Sequence, residues 1–228
     1  LSSGGLLNAA AEEHTLLDIG LQHYSQPRLG VFADLKAFAC IAQDLGLVQG
    51  DLRRELEDVA SWLDTQKSQW NLDATDNAKD NMARSIAKSL HGKPALIYAG
   101  PALAAAGYKW KIDINENAKQ MANCNVVPEL NHNEMQGWMF PEAKHLQVVE
   151  LQSSLDSDRI QKRFVVMRQV LAKHGYEPIK VEVVGNTLIQ QLLSTILLGD
   201  YVSAYLGILN GLDPSPVKIV EQFKKDLG

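Results

Sequence analysis

Six consecutive residues, Glu129-Leu130-Asn131-His132-Asn133-Glu134, bring an imidazole, two carboxylates and two amides together directly after a short apolar run. A second polar group, Asn115-Glu116-Asn117-Ala118-Lys119, closes an Ala-rich segment just upstream. Side chains that titrate or hydrogen-bond cost free energy to bury without partners. Two dense groups of them beside apolar sequence therefore indicate a site more than a core. A carboxylate and an imidazole within reach of one substrate can move protons on and off carbon and oxygen, and Glu116 and His132 are the residues for it. Read alone, Glu116 also fits a solvated helix-end carboxylate beside Lys119, and His132 a structural hydrogen-bonding histidine. Glu129 and Glu134 could join His132 as metal ligands, but no His-x-x-x-His or paired-Cys spacing supports one, so no metal is expected. Glu134 reads better as orienting His132 or capping the helix that follows.

Positioning these groups is the work of the surrounding elements. The first ninety residues read as mostly helical: 6–13, then a polar connection over 22–29, then 31–45 with Val31, Leu35, Phe38 and Ile41 at helical spacing. Asp51 opens a further helix with Leu52, Leu56, Val59 and Leu63 on one face. Residues 67–76 are polar and read as a loop, and 77–90 as a helix stopped at His91-Gly92-Lys93-Pro94. After Pro94 the rhythm changes. Strands are expected over 95–99, 125–127, 146–151 and 179–184. Helices are expected over 101–119, from Asp156 as the cap to 174, from 186 onward, and at the end of the chain to 225. Strands alternating with helices of this length imply parallel βαβ units, so from about Lys93 the chain reads as an α/β sandwich. Ligands in such folds bind at the carboxyl ends of the strands, and both polar groups are expected there. Trp110, Trp138 and Tyr98 read as core.

Composition narrows the class. With 22 basic against 27 acidic residues the net charge is −5, which argues against a partner such as nucleic acid. Two cysteines, Cys40 and Cys124, are too few for a disulfide framework and fit a reducing, cytoplasmic setting. No run approaches the ~18 consecutive apolar residues of a membrane span, and no membrane partner is expected. The longest uncharged stretch, 186–199, contains Asn, Gln, Ser and Thr and reads as a buried helix. The chain opens Leu1-Ser2-Ser3-Gly4-Gly5 with its first methionine at Met82, which reads as a chain whose leading part is missing.

The two polar groups, with Gly137-Trp138, resemble the signature of the bifunctional phosphoglucose/phosphomannose isomerase family. So do Gly199-Asp200-Tyr201-Val202-Ser203 and Gly211-Leu212-Asp213-Pro214, while Gln26-Pro27-Arg28 resembles a Gln-Pro-Arg segment of the family's first domain. The likeness runs over nearly the whole chain. It implies a pair of SIS (sugar isomerase) domains: the rear of a first, mostly helical partial SIS domain with a linker over 1–76, then a three-layer α/β/α SIS sandwich with a parallel sheet and a helical tail over 77–228. It implies Glu116 as the base that shuttles a proton between C1 and C2 of an open-chain hexose 6-phosphate. His132 then matches the histidine that opens the sugar ring, which in the family reaches the active site of the neighbouring subunit, so a homodimer with a shared site is expected. Arg28 matches an arginine that stabilises the cis-enediolate, with an ion pair to a surface carboxylate such as Asp18 or Asp34 as the alternative. Ser2, Ser3, Gln26, Asn131 and Glu134 are the accompanying substrate-binding candidates. The implied reaction interconverts glucose or mannose 6-phosphate with fructose 6-phosphate and needs no cofactor.

Two departures accompany the resemblance. The family's Ser-x-Ser-Gly-Asn-Thr phosphate turn is absent, and Ser2-Ser3-Gly4-Gly5 resembles a later Ser-Gly-Gly turn of the same domain. The family also places a lysine near the start of its helical tail, and between Lys180 and Lys218 this chain has none. The rival reading is a non-catalytic sugar-phosphate-binding or regulatory SIS protein.

Overall fold

The computed structural model describes residues 2, 4–16, 18–21, 24, 26–72, 81–139 and 145–228. The chain divides into two units, Leu1–Ser61 and Trp62–Gly228. In the first, α1 (Gly5–Glu13) and α2 (Val31–Asp44) flank a 3-10 turn at Pro27–Leu29. Pro27 opens that turn, where its fixed φ is already suitable and its missing N–H costs no bond. Ser2 forms a parallel bridge with Gly20. Helix α3 (Leu52–Lys67) carries the chain into the second unit with Leu56, Val59 and Leu63 as its buried stripe, as their spacing predicts.

The second unit is a parallel sheet with helices on both faces. The strands are β1 (Ala95–Ala99), β2 (Ala122–Val126), β3 (Gln147–Leu151) and β4 (Ile179–Lys180), in the order β2-β1-β3-β4. The expected strand at 125–127 thus begins earlier, at Ala122. The expected strand at 179–184 pairs for two residues only and then leaves the sheet, after Val181 N–H bonds the Glu150 carbonyl at 3.1 Å. The helix expected over 77–90 is described from Met82 as α4 (Met82–Leu90), capped by the Asn81 side chain on Arg84 N–H. Residues 73–80 of the expected loop and helix lie outside the described residues.

One face carries α4, α5 (Ala104–Asn117) and α8 (Leu188–Leu209). Helix α8 is long and apolar enough to cross a membrane by length and composition, yet most of that stretch is buried against its neighbours, as expected for a core helix. The opposite face carries the short α6 (Glu134–Gly137) and α7 (Asp158–Lys173), whose Phe164, Met167 and Leu171 pack on Tyr98, Val148 and Trp138. Trp138 stands edge-on to Tyr98 and Tyr176, with centroids at 6.3 and 4.5 Å. Tyr98, Trp138 and Trp110 are all core residues, as expected. The terminal helix is α9 (Lys218–Leu227).

Between α5 and α8 lies a buried charge cluster. Lys109 Nζ sits 2.5 and 2.7 Å from the two oxygens of Asp113 and 2.9 Å from Asp200. Burial lifts the Asp113 carboxyl to about 8, and the Asp200 charge adds to the rise while Lys109 opposes it. Burial alone would lower the Lys109 ammonium, but Asp200 and Asp113 outweigh it and it stays charged. Asp113 therefore holds a proton in the folded state that the unfolded chain releases near 3.8. Stability contributed by that proton is complete below pH 3.8 and is lost as pH rises toward about 8, at up to about 1.4 kcal/mol per pH unit. Thermal melts of Asp113→Asn between pH 5 and 8 should show a flatter decline than the parent. Parallel declines would remove Asp113 as the cause.

Candidate functional site

The end of α5 that bears Glu116 is tied on every side. Asn115 exchanges hydrogen bonds with the main chain of Ala122, at 3.0 and 3.2 Å, stitching the helix to the start of β2. Asn117 Nδ2 donates to Ser203 Oγ on α8 at 2.8 Å. Asn210 Nδ2 reaches the Ala118 carbonyl at 3.0 Å, and Gln120 Nε2 bonds the carbonyls of Leu90 and Lys93 at 2.8 and 2.6 Å. A Cβ on Gly207 would lie 2.7 Å from the Asn117 carbonyl oxygen, so glycine is what allows α8 to approach so closely. Helix α8 then closes with Gly211 at φ +70°, Leu212 N–H returning to Gly207 O and Gly211 N–H to Ile208 O.

Glu116, half-buried on this fixed turn, faces a cavity of about 500 Å³. Asn115, Glu116 and Lys119 form one wall, and Leu212, Asp213 and residues 216–220 the other. The cavity brings the carboxylates of Glu116 and Asp213 and the ammonium groups of Lys119 and Lys218 together among largely apolar walls. Lys218, the first residue of α9, is one of those ammonium groups. The tail therefore brings a lysine to the Glu116 cavity, although none precedes it after Lys180.

The expectation that both polar groups share the carboxyl ends of the strands is wrong for Glu116. Helix α5 leaves the carboxyl end of β1 and returns to the amino end of β2, where Ala122 pairs with Ala95. Its last turn, with Glu116, is therefore at the amino ends. His132 follows Val126, which pairs with Ala99 at the carboxyl end. The two residues stand at opposite ends of the sheet within one chain.

His132 is exposed and lines a separate hollow of about 610 Å³ with Asn131, Met135 and the α7 residues Arg159, Lys162 and Arg163. Asn131 Nδ2 lies 3.5 Å from Met167 Sδ, while its Oδ1 is buried with no hydrogen-bond partner among the described residues. Glu134 does not orient His132. Its carboxylate accepts from Asn125 Nδ2, and it also bonds the Tyr98 phenol. Burial, followed by that carboxylate, pushes the phenol well above its ordinary range. Nor does Glu134 cap the next helix, since Asn133 Oδ1 accepts the Glu134 N–H at 2.6 Å.

The usual ligand seat of such a sheet, between the carboxyl ends of adjacent strands whose crossovers leave in opposite directions, falls here between β1 and β3. Asp156 fills it. Its carboxylate accepts from Ala102 N–H at 3.1 Å and Ser153 N–H at 3.3 Å, and a Cβ on Gly100 would land 2.0 Å from Asp156 Oδ2. The expected cap of the following helix is thus engaged across the sheet, and Ser157 takes the N-cap position of α7.

In the first unit, Arg28 is buried and donates from Nη1 to Gln26 Oε1 at 2.7 Å, so the 3-10 turn brings these two candidates together. Ser2 donates its hydroxyl to Asp18 at 2.6 Å. Ser3 lies outside the described residues.

Comparison with known proteins agrees with this architecture. Residues 79–227 match the family model of the bacterial phospho-glucose isomerase C-terminal SIS domain. A bifunctional phosphoglucose/phosphomannose isomerase of Aquifex aeolicus is 34% identical over 68% of this chain and 51% of its own length. One of Caldicellulosiruptor bescii is 28% identical over 100% of this chain and 67% of its own. The chain thus spans about half to two thirds of the length of these relatives. In fold, a glucose-6-phosphate isomerase like protein of Thermus thermophilus superposes with a TM-score of 0.60 at 17% identity, over 72% of this chain and 55% of that one.

Proposed function

Because the chain belongs to the family of the bacterial phospho-glucose isomerase C-terminal SIS domain, we propose that it carries the catalytic base of an aldose–ketose isomerase acting on hexose 6-phosphates. The relatives named as phosphoglucose/phosphomannose isomerases point to glucose and mannose 6-phosphate as the aldoses and fructose 6-phosphate as the ketose.

The observation that carries this reading is Glu116, a half-buried carboxylate on an immobilised helix turn, opening into a cavity that also holds Lys218. In the forward step the Glu116 carboxylate takes the proton from C2 of the open-chain aldose, and the electron pair moves into a cis-enediolate. The resulting carboxylic acid returns that proton to C1 while the O2 hydroxyl proton passes to O1, which yields the ketose. The intermediate places negative charge on oxygen, and a cation held in advance at that position stabilises it by a few kcal/mol. By the family resemblance of Gln26-Pro27-Arg28, Arg28 is the candidate for this role, and within the first unit its Nη1 donates to Gln26 Oε1 at 2.7 Å. His132 opens the ring, and its distance from Glu116 within one chain favours a homodimer in which it serves the neighbouring copy's site.

The test is turnover of fructose 6-phosphate, followed by coupling any glucose 6-phosphate formed to its dehydrogenase and measuring mannose 6-phosphate separately. It is run on this chain and on any longer product of the same gene. Formation of either aldose is the expected result. If neither protein forms either one, while both bind fructose 6-phosphate, the non-catalytic sugar-phosphate-binding reading replaces this one.

A further inference from the structure

The least expected feature near the Glu116 cavity is the backbone of Lys119. This residue follows Ala118, the C-cap of α5, and has a φ of +52°. That left-handed conformation at the end of a helix is the place for glycine or asparagine, because a Cβ is penalised there. A lysine that tolerates the strain points to a need for its side chain.

The side chain has a definite task. Lys119 Nζ lies 2.8 Å from the Glu116 carbonyl and 3.4 Å from that of Asn117, both at the end of α5. It also lies 2.8 Å from the Asp213 carbonyl and 2.9 Å from that of Pro214, in the segment between α8 and α9. An ammonium has three donors and no acceptor, so a ring of carbonyl oxygens is its natural complement. A cation at the C-terminal end of a helix is also favoured by the helix dipole. These four oxygens belong to the two segments that face each other across the Glu116 cavity.

We propose that Lys119 is a positioning residue, an ammonium clasp that holds the segment around 213–214 against the end of α5 and so fixes the wall of the substrate cavity opposite Glu116. The inference rests on the isomerase reading for its catalytic consequence, but not for its structural one. The clasp sets how far Lys218 and the start of α9 stand from the Glu116 carboxylate. A misplacement of about 1 Å in such a wall can cost on the order of a hundredfold in rate.

Two variants test it. Lys119→Met keeps most of the side-chain length without the charge, and Lys119→Gly also relieves the backbone strain. Amide hydrogen exchange of residues 212–220 is expected to accelerate at least tenfold in Lys119→Met, while amides in the middle of α5 and α8 keep their parent rates. In Lys119→Gly, n-butylammonium ion is expected to restore protection of 212–220, and the uncharged n-butanol is not. In the protein that turns over fructose 6-phosphate, both variants should lose ten- to a hundredfold in kcat/KM, with the amine recovering part of it in Lys119→Gly. Parent-like exchange of 212–220 in Lys119→Met, or equal rescue by butanol, overturns the clasp. A parent protein without turnover refutes the isomerase reading instead, and the exchange result still decides the clasp.

Discussion

Glu116→Gln is expected to reduce isomerase turnover about a thousandfold, within the range of 10²–10⁴ that positioned acid–base groups contribute. Glutamine matches the glutamate in shape and still accepts hydrogen bonds, but it cannot take a proton from carbon. The loss should therefore fall on kcat, with KM for fructose 6-phosphate changing little, because the amide still fills its side of the cavity. Stability should barely move. Glu116 is half-buried, and the hydrogen bonds of Asn115, Asn117, Gln120 and Asn210 that hold its turn remain when glutamine replaces it. A second readout is independent of net turnover: deuterium incorporation from heavy water into C1 or C2 of the sugar phosphate should disappear with the base. A variant that retains turnover within tenfold of the parent, or that still exchanges deuterium, would mean that another group performs the proton transfer.

The sequence discloses the chemistry better than its location. The β1 strand is legible because Ala95 to Ala99 is an unbroken apolar run between Pro94 and Gly100, as befits a strand covered on both faces. The β2 strand is not, since it lies at the edge of the sheet and carries Asn123 and Asn125, so only its apolar end is visible as a run. For β4, alternation continues beyond the two residues that pair, and nothing local says where the chain departs. Asp156 has the residue type of a helix cap and stands near a helix start. Its long-range partner, Ala102, becomes visible only when β1 and β3 lie side by side, while Ser153 stands in its own turn. Glu134 follows the same rule, with Asn125 and Tyr98 as partners from two different strands. The placement of Glu116 was derivable from topology alone: a helix that begins at the carboxyl end of one parallel strand must finish at the amino end of the next. Lys119 had no such signal. Two of its four carbonyl partners, Asp213 and Pro214, lie in a segment more than ninety residues away.

Mixing Glu116→Gln chains with His132→Ala chains is expected to restore about a quarter of the parent activity, although each variant alone is inactive. The argument begins with α5, whose 14 residues span about 21 Å. Glu116 stands at one end of that span, at the amino ends of the strands, and His132 stands beyond the other. No side chain bridges such a distance, so a substrate in contact with both must take them from different copies. In a two-fold symmetric dimer each copy gives and receives the same surface, which makes two equivalent sites, each with Glu116 from one copy and His132 from its partner. In a mixed dimer one site then carries both lesions and the other carries none. Random reassortment makes about half of the dimers mixed, each with one intact site of two, and hence about a quarter of the full number. Co-expression or joint refolding supplies the reassortment, and the activity of the mixture is read against equal amounts of each variant treated alone. A mixture as inactive as its components, or sedimentation of the parent as a monomer at assay concentration, would confine His132 to its own chain and remove it from the chemistry at Glu116.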